Sequence, residues 1–117
     1  MKDLQSFVFE SQQFRTIKVN DEVWFVGKDV ATILGYAKTA NAISQHVDDE
    51  DKGVTRMMTP GGKQNIQVIN ESGMYSLILS SKMPNAKKFK RWVTHEVLPA
   101  IRKHGAYMTD EKIEEVL

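Results

Sequence analysis

The chain has 117 residues, of which 41% are hydrophobic and 26% charged, a balance typical of one globular domain and unlike that of a disordered chain. No apolar run approaches the ~20 residues of a membrane-spanning helix, and the N-terminus lacks the apolar segment of a secretory signal peptide. Without cysteine, the chain has neither disulfides nor thiolate metal ligands. We therefore expect a soluble protein of the cytoplasm that does not contact membranes.

The first 26 residues predict an antiparallel β-meander. Residues 5–10 and 14–20 are short β-rich runs separated by Ser11-Gln12-Gln13, and the second run alternates between two faces as a half-buried strand does. Asp21-Glu22 predicts a turn, and residues 23–26 follow as a third, more buried strand.

The pattern then changes to helix. Residues 28–34 place apolar side chains on one side and stop at Gly35, and Thr39 is a candidate cap for a second helix that runs to about Val47. After the polar loop 48–53, residues 54–59 and 64–69 flank Pro60-Gly61-Gly62-Lys63, which predicts a β-hairpin. The fold class predicted from these elements is α+β, a small antiparallel sheet packed with four to five short helices.

The second half of the chain predicts further helices. Asn70 is a candidate N-cap for a helix over residues 71–81, which is apolar on most sides and is therefore expected to be deeply buried. Pro84 suits the first turn of the next helix, and Pro99 is expected to break or kink that helix before a last turn ends at Gly105.

The charges are distributed unevenly along the chain. Residues 82–104 carry seven basic residues and one acidic residue, a balance of +6. Residues 1–81 hold eight basic and ten acidic residues, a balance of −2, and residues 105–117 hold one and four, a balance of −3. The net charge of +1 thus conceals a strongly basic segment, which is either a solvated helix face or the contact surface of an anionic partner.

A helical projection at 100° per residue divides the basic segment into two faces. One arc is apolar and consists of Ala86, Phe89, Trp92, Val93 and Val97. Glu96 falls in the centre of this arc, where a buried carboxylate needs hydrogen-bond partners, so we expect a structural role for it. The opposite face carries Lys87, Lys88, Lys90 and Arg91, with no acid four residues before any of them to form an intrahelical pair.

The predicted helix pair at residues 29–47 is similar in part to a helix-turn-helix. Ala31 and Gly35 have the spacing of that motif, but its later apolar positions hold Asn41 and Ser44, so the turn is longer than the standard one. The second helix still presents side chains of base-reading types, Lys38, Asn41, Ser44 and Gln45. A plain helical layer over the sheet explains the same pattern.

Signals for catalysis are weak. The segment from His46 to Asp51 contains side chains that bind hard metal ions, but an acidic turn after a helix is far commoner, and ligands must converge in space. No serine has a recognisable set of catalytic partners, and no phosphate-binding glycine loop is present. We expect no enzymatic activity, no metal and no cofactor, with a metal-dependent nuclease as the third alternative.

Several blocks together resemble the N-terminal domain of the BRO family, which occurs in phage and prophage antirepressors and in proteins of large DNA viruses. The blocks, which lie within residues 5–107, are Phe25 to Tyr36, Ala42 to Val47, Asn70 to Ile78, Ser81-Lys82, the positions Ala86, Phe89, Trp92-Val93 and Glu96 to Arg102, and finally Gly105-Ala106-Tyr107. The resemblance implies a DNA-binding α+β module of a protein that modulates transcription. It also implies a separate C-terminal domain, which fits the unfinished helical pattern after Thr109.

These observations predict a DNA-binding domain at residues 1–107, followed at 108–117 by a linker or the start of a helix. The residues predicted to contact phosphates are Lys82, Lys87, Lys88, Lys90, Arg91, Arg102 and Lys103. Those predicted to read bases are Lys38, Asn41 and Gln45. The expected partner is double-stranded DNA. The alternative is a module that sequesters a phage repressor protein without binding DNA, and a homodimer is compatible with either.

Overall fold

A computed structural model describes residues 3–105. Its centre is one five-stranded antiparallel sheet with the strand order β1-β2-β3-β5-β4. The strands are β1 (Asp3–Phe9), β2 (Gln12–Val19), β3 (Glu22–Val26), β4 (Lys52–Thr59) and β5 (Gly62–Ile69). The predicted meander and the predicted hairpin are therefore both confirmed, and they join where β3 pairs with β5.

The two turns of the meander are tight. Glu10 and Ser11 connect β1 to β2, Asn20 and Asp21 connect β2 to β3, and all four residues have positive φ. Two-residue turns of this handedness match the twist of antiparallel strands, and Asn and Asp tolerate it best among non-glycine residues. The first turn thus begins earlier than the predicted Ser11-Gln12-Gln13.

Among the described residues, five α-helices complete the α+β fold that the sequence predicts. They are α1 (Gly27–Ile33), α2 (Thr39–His46), α3 (Glu71–Ser80), α4 (Ala86–Trp92) and α5 (Leu98–Gly105), with a short 3₁₀ turn at Asp49–Asp51. The predicted cap of α3 is confirmed, because the Asn70 side chain accepts a hydrogen bond of 2.9 Å from the Gly73 N–H. Within residues 3–105, no helix has the length and apolarity needed to cross a membrane.

An aromatic cluster joins the sheet to α4. Phe9 and Phe14 from the first hairpin contact Phe89 and Trp92, with ring centroids 5.1–5.5 Å apart. Phe14 and Phe89 are fully buried, so each contributes on the order of 2–3 kcal/mol through removal of its ring from water. This packing fixes the inner face of α4, and the predicted apolar arc from Ala86 to Val97 is confirmed as core.

The path of the chain after α4 corrects two predictions. Residues Val93–Val97 form a π turn, in which the Leu98 N–H donates to the Val93 carbonyl five residues back, and α5 continues from it. The helix is therefore not broken at Pro99, although its departure from α-helical hydrogen bonding lies just before that residue, near the predicted position. The extra residue of the π turn also shifts the helical register, so that Leu98 is buried together with the predicted Val97, while Glu96 is exposed instead of lying in the apolar face.

Three smaller expectations also need correction. Thr39 is the first residue of α2 and provides no side-chain cap, and Pro84 lies in the turn before α4 instead of in its first turn. Helix α3 is buried through Met74, Leu77 and Ile78, but its Leu79 side chain is 82% exposed. The predicted helix start after Thr109 lies outside the described residues.

Candidate nucleic-acid interface

The α1–α2 turn and the α3–α4 loop are held together by specific contacts. The Ser81 hydroxyl donates to the Leu34 carbonyl at 2.9 Å, and the Tyr36 hydroxyl donates to the Leu77 carbonyl at 2.8 Å. Gly35 ends α1 with a φ of +84°, and the Met83 side chain lies directly against it. These contacts fix the position of α2 relative to the start of the basic segment.

Lys82 lies beside the C-terminal end of α2 as a result. It lines a cleft of about 440 Å³ together with Tyr36 and His46, whose rings are 5.8 Å apart, and Met83. Burial raises the pKa of the Tyr36 phenol, which therefore remains a neutral hydrogen-bond donor to Leu77. The structure thus brings one predicted phosphate contact, Lys82, next to the helix that carries the predicted base readers.

Helix α2 has the two faces that its sequence predicts. Ala42 and Ile43 are buried against the core. The predicted base readers Lys38, Asn41 and Gln45 are all exposed. The Ile43 side chain packs so closely on Gly27 that a Cβ at that position would collide with it. The polar side of α2 is therefore turned away from the core and accessible.

A buried ion pair positions α1, on which α2 packs. The Asp29 carboxylate accepts hydrogen bonds from the Arg15 backbone N–H at 2.9 Å, from its Nε at 2.9 Å and from its Nη2 at 3.0 Å. The hydrogen bond that the Arg15 guanidinium donates to Asp29 raises the pKa of Arg15. Because Arg15 lies in β2, this pair ties the start of α1 to the sheet.

The basic face of α4 is exposed as predicted. Its members Lys87, Lys88, Lys90 and Arg91 all point to solvent, opposite the buried Phe89. One of them is not free: Lys88 Nζ lies 2.7 Å from a carboxylate oxygen of Glu10 in the β1–β2 turn. This hydrogen bond lowers the pKa of Glu10, so the acid stays ionised beside Lys88.

Arg102 lies apart from the other predicted phosphate contacts. It lines a cleft of about 320 Å³ at the opposite end of α3, together with the acidic side chains of Asp21, Glu22 and Glu71. The helical run between Lys87 and Arg102 is about 20 Å long at 1.5 Å per residue. The structure therefore divides the predicted basic surface into two regions, and the side chain of Lys103 lies outside the described residues.

Basic residues outside the predicted set lie beside α2, at Lys28, and on the β4–β5 hairpin, at Arg56 and Lys63. Lys28 and the polar side chains of Asn65 and Gln67 line a cleft of about 230 Å³ with Thr39 and Ala40 of α2. The hairpin that bears Asn65 also exposes its Arg56 and Lys63 side chains. A local signal for this surface existed, because residues 52–70 contain three basic residues and no acidic one.

The acidic segment at residues 48–51 forms the 3₁₀ turn that precedes β4. Asp49 pairs with Lys52 at 3.3 Å, and Asp51 accepts a hydrogen bond from the Asn70 side chain at 3.1 Å. Within the described part of the chain, no three His, Asp or Glu side chains converge closely enough to hold a metal ion.

Comparison with known proteins identifies the family. Residues 13–99 match the family model described as the BRO family, N-terminal domain. The chain belongs to the BRO family. An uncharacterised protein of Haemophilus influenzae is 44% identical over 88 residues, which are 74% of this chain and 43% of that protein. No solved structure shows a significant match.

Viral proteins extend the comparison over most of the chain. A Bro-N domain-containing protein of Invertebrate iridescent virus 6 is 32% identical over 96% of this chain and 31% of its own length. One of Acanthamoeba polyphaga mimivirus is 34% identical over 91% of this chain and 50% of its own length. The chain thus spans half or less of these relatives. The BRO match includes α1 to α4 and the hairpin, but it stops before Arg102 and Lys103.

Proposed function

We propose that this BRO domain binds double-stranded DNA and serves as the DNA-binding module of a transcriptional regulator of the phage or prophage antirepressor type. One observation carries the proposal. Helix α2 exposes its polar side, its last residue His46 lies in one cleft with Lys82, and the basic face of α4 follows Lys82 in the chain. A helix with Asn and Gln on its free side, flanked by lysines and arginines, has the chemistry of a groove-binding element.

The proposed roles depend on the environment of each side chain. Lys82, Lys87, Lys90 and Arg91 are assigned to backbone phosphates, while Lys38, Asn41 and Gln45 are assigned to base edges. Lys88 and Arg102 contribute less, because Glu10 and a group of three carboxylates respectively lie beside them. The proposed place of action is the cytoplasm of a bacterial or infected host cell, where DNA is accessible.

The experiment that tests the proposal is a charge reversal on α4, Lys87→Glu with Arg91→Glu. Loss of two phosphate contacts is expected to reduce the slope of log affinity against log salt concentration by about 1.8 and to abolish measurable binding at physiological salt. Both side chains are exposed, so the far-ultraviolet circular dichroism spectrum and melting temperature are expected to stay unchanged. Unchanged affinity at low salt contradicts this assignment.

A second function is favoured by a different observation. Met83, which is 43% exposed, lies beside Lys82, and Leu79 near the end of α3 is 82% exposed. A protein partner such as a repressor uses such apolar surface better than DNA does. Titration of the domain with random duplex DNA separates the two functions. Salt-sensitive DNA binding that is unchanged in Leu79→Ser supports DNA as the partner, and absence of DNA binding leaves the repressor as the partner.

A homodimer on DNA is expected to contact half-sites about 10 base pairs apart.

A further inference from the structure

The β4–β5 hairpin extends beyond the rest of the sheet. Strand β3 pairs with β5 only at Phe25–Ile69 and Val26–Val68, whereas β4 and β5 pair along eight residues each. The six pairs from Val54–Gln67 to Thr59–Gly62 therefore form a two-stranded ribbon about 20 Å long. We call this segment, residues 54–67, the ribbon.

The ribbon is basic on the side that faces the helices. Residues directly paired in an antiparallel ladder share one face, so Arg56 lies beside Asn65, and Lys63 lies two residues before Asn65 on that face. This is also the face of Ile69, whose side chain is in the core under the helices. No ion pair joins Arg56 or Lys63 to another described residue, whereas Lys52 at the base pairs with Asp49.

The end of the ribbon is well ordered by its own hydrogen bonds. The Thr59 hydroxyl donates to the Gly62 carbonyl at 2.8 Å and accepts from the Gly61 N–H at 3.3 Å. Gly62 has a φ of +105°, a conformation that glycine adopts without strain. The closed turn and the continuous ladder fix the backbone at Arg56 and Lys63, so binding has to order only their side chains.

The base of the ribbon lies beside the first half of α2. Asn65 and Gln67 at its base line one cleft with Thr39 and Ala40 in the first half of α2. An α-helix with its side chains is about 10–12 Å across and fills the major groove of B-DNA, which is about 12 Å wide. If α2 occupies the groove, an element beside it cannot enter the same groove and must meet the sugar-phosphate strand that borders it.

We infer that the ribbon is a second DNA-contacting element, which binds backbone phosphates next to the groove occupied by α2 through Arg56 and Lys63. This inference rests on the proposed function of the domain. It assigns affinity, and no base specificity, to the ribbon, because both side chains meet phosphate. Specificity stays with α2.

The test compares Arg56→Gln/Lys63→Gln with the parent domain and with the control Lys18→Gln, in which a lysine at the opposite end of the sheet loses its charge. Fluorescence anisotropy measures affinity for several duplexes between about 50 and 200 mM salt. The ribbon variant is expected to lose roughly tenfold in affinity for every duplex alike, and its salt slope is expected to fall by about 1.8. The control slope is expected to stay within experimental error of the parent.

A second measurement localises the effect. Hydroxyl-radical footprinting is expected to show that the ribbon variant loses protection on one strand beside the footprint of α2 and keeps the rest. If the parent domain binds DNA and the ribbon variant shows the same affinity, salt slope and footprint, the inference is overturned and the proposed function stays intact. An equal loss in Lys18→Gln also overturns it, because the effect is then one of net charge. If the parent domain binds no DNA, both the ribbon inference and the proposed function are wrong.

Discussion

The ion pair between Asp29 and Arg15 leads to a prediction about stability. It tests whether this pair holds α1, on which α2 packs, against the sheet. Only 4% of this side chain is exposed, and it accepts three hydrogen bonds from Arg15. Asp29→Ala removes all three acceptor contacts at once. It leaves the Arg15 backbone N–H and one edge of its guanidinium without a partner at the base of α1.

The expected cost depends on the burial of the two partners. Loss of one member of a buried ion pair typically costs about 3–5 kcal/mol. The Arg15 side chain is 21% exposed, so water reaches part of the orphaned charge, and we expect about 2–3 kcal/mol. For a domain of this size that corresponds to a melting temperature lower by roughly 6–12 °C.

Urea and thermal unfolding followed by circular dichroism measure this change. Asp29→Asn keeps the side-chain shape and one acceptor oxygen, so about half the loss is expected. Asp49→Ala is the matched control, because Asp49 pairs with Lys52 while fully exposed. The unfolding midpoint of this variant is expected to match that of the parent domain. A loss below about 1 kcal/mol in Asp29→Ala refutes the assignment of Asp29 as the anchor of α1.

Three further predictions concern the turn at Gly35 and the pair formed by Glu10 and Lys88. Gly35→Ala combines a φ of +84° with a collision between the new methyl group and Met83, so a loss of about 1–3 kcal/mol is expected by urea unfolding, and a neutral result contradicts the fixed turn. Glu10→Gln frees Lys88 and is expected to raise DNA affinity roughly twofold to fivefold at low salt, whereas equal affinity means that Lys88 does not meet DNA. The carboxyl pKa of Glu10, lowered by Lys88, is expected to rise toward 4.5 in Lys88→Met when measured by NMR. Since the folded pKa is the lower one, any stabilisation by this pair is present above the unfolded pKa and is lost as the pH falls through the folded value.

The local elements of the fold were predictable from short-range signals. The Asn70 cap, the stop at Gly35 and the hairpin turn at Pro60-Gly61 each depend on the conformational preferences of one or two residues, which tertiary contacts did not override. The α+β class was predictable because the period of the hydrophobic pattern changes from strand to helix along the chain.

The π turn could not be predicted in the same way. A projection at 100° per residue assumes one hydrogen-bond pattern throughout the helix, and a single extra residue rotates every later side chain. Pro99 has no N–H to donate to the His95 carbonyl in an α-helical pattern, which removes one reason for the chain to stay α-helical there. Burial of Val97 and Leu98 accompanies the changed rotation and leaves Glu96 in water.

Contacts distant in sequence account for the remaining differences. Lys88 meets Glu10 across 78 residues, and no pattern within α4 indicates it. Leu79 continues an apolar run, yet it is 82% exposed because it lies off the face on which α3 buries Met74, Leu77 and Ile78. The assignment of DNA contacts itself stays a prediction, since charge and exposure permit contact without demonstrating it.

The distribution of charge in space differs from its distribution along the chain, and this difference changes which residues best account for the proposed DNA binding. The linear basic segment extends to Arg102, but the fold places that residue in a cleft lined by three carboxylates and one other basic residue, Lys18, so acidic charge prevails there and opposes an incoming phosphate. The ribbon has fewer basic residues, but no acidic residue lies within it. It also stands next to α2, so its charges add to the field at the polar helix face. Electrostatic attraction at that face therefore depends on a ribbon that lies far from the basic segment in sequence, and removal of its two charges is expected to weaken binding more than removal of Arg102.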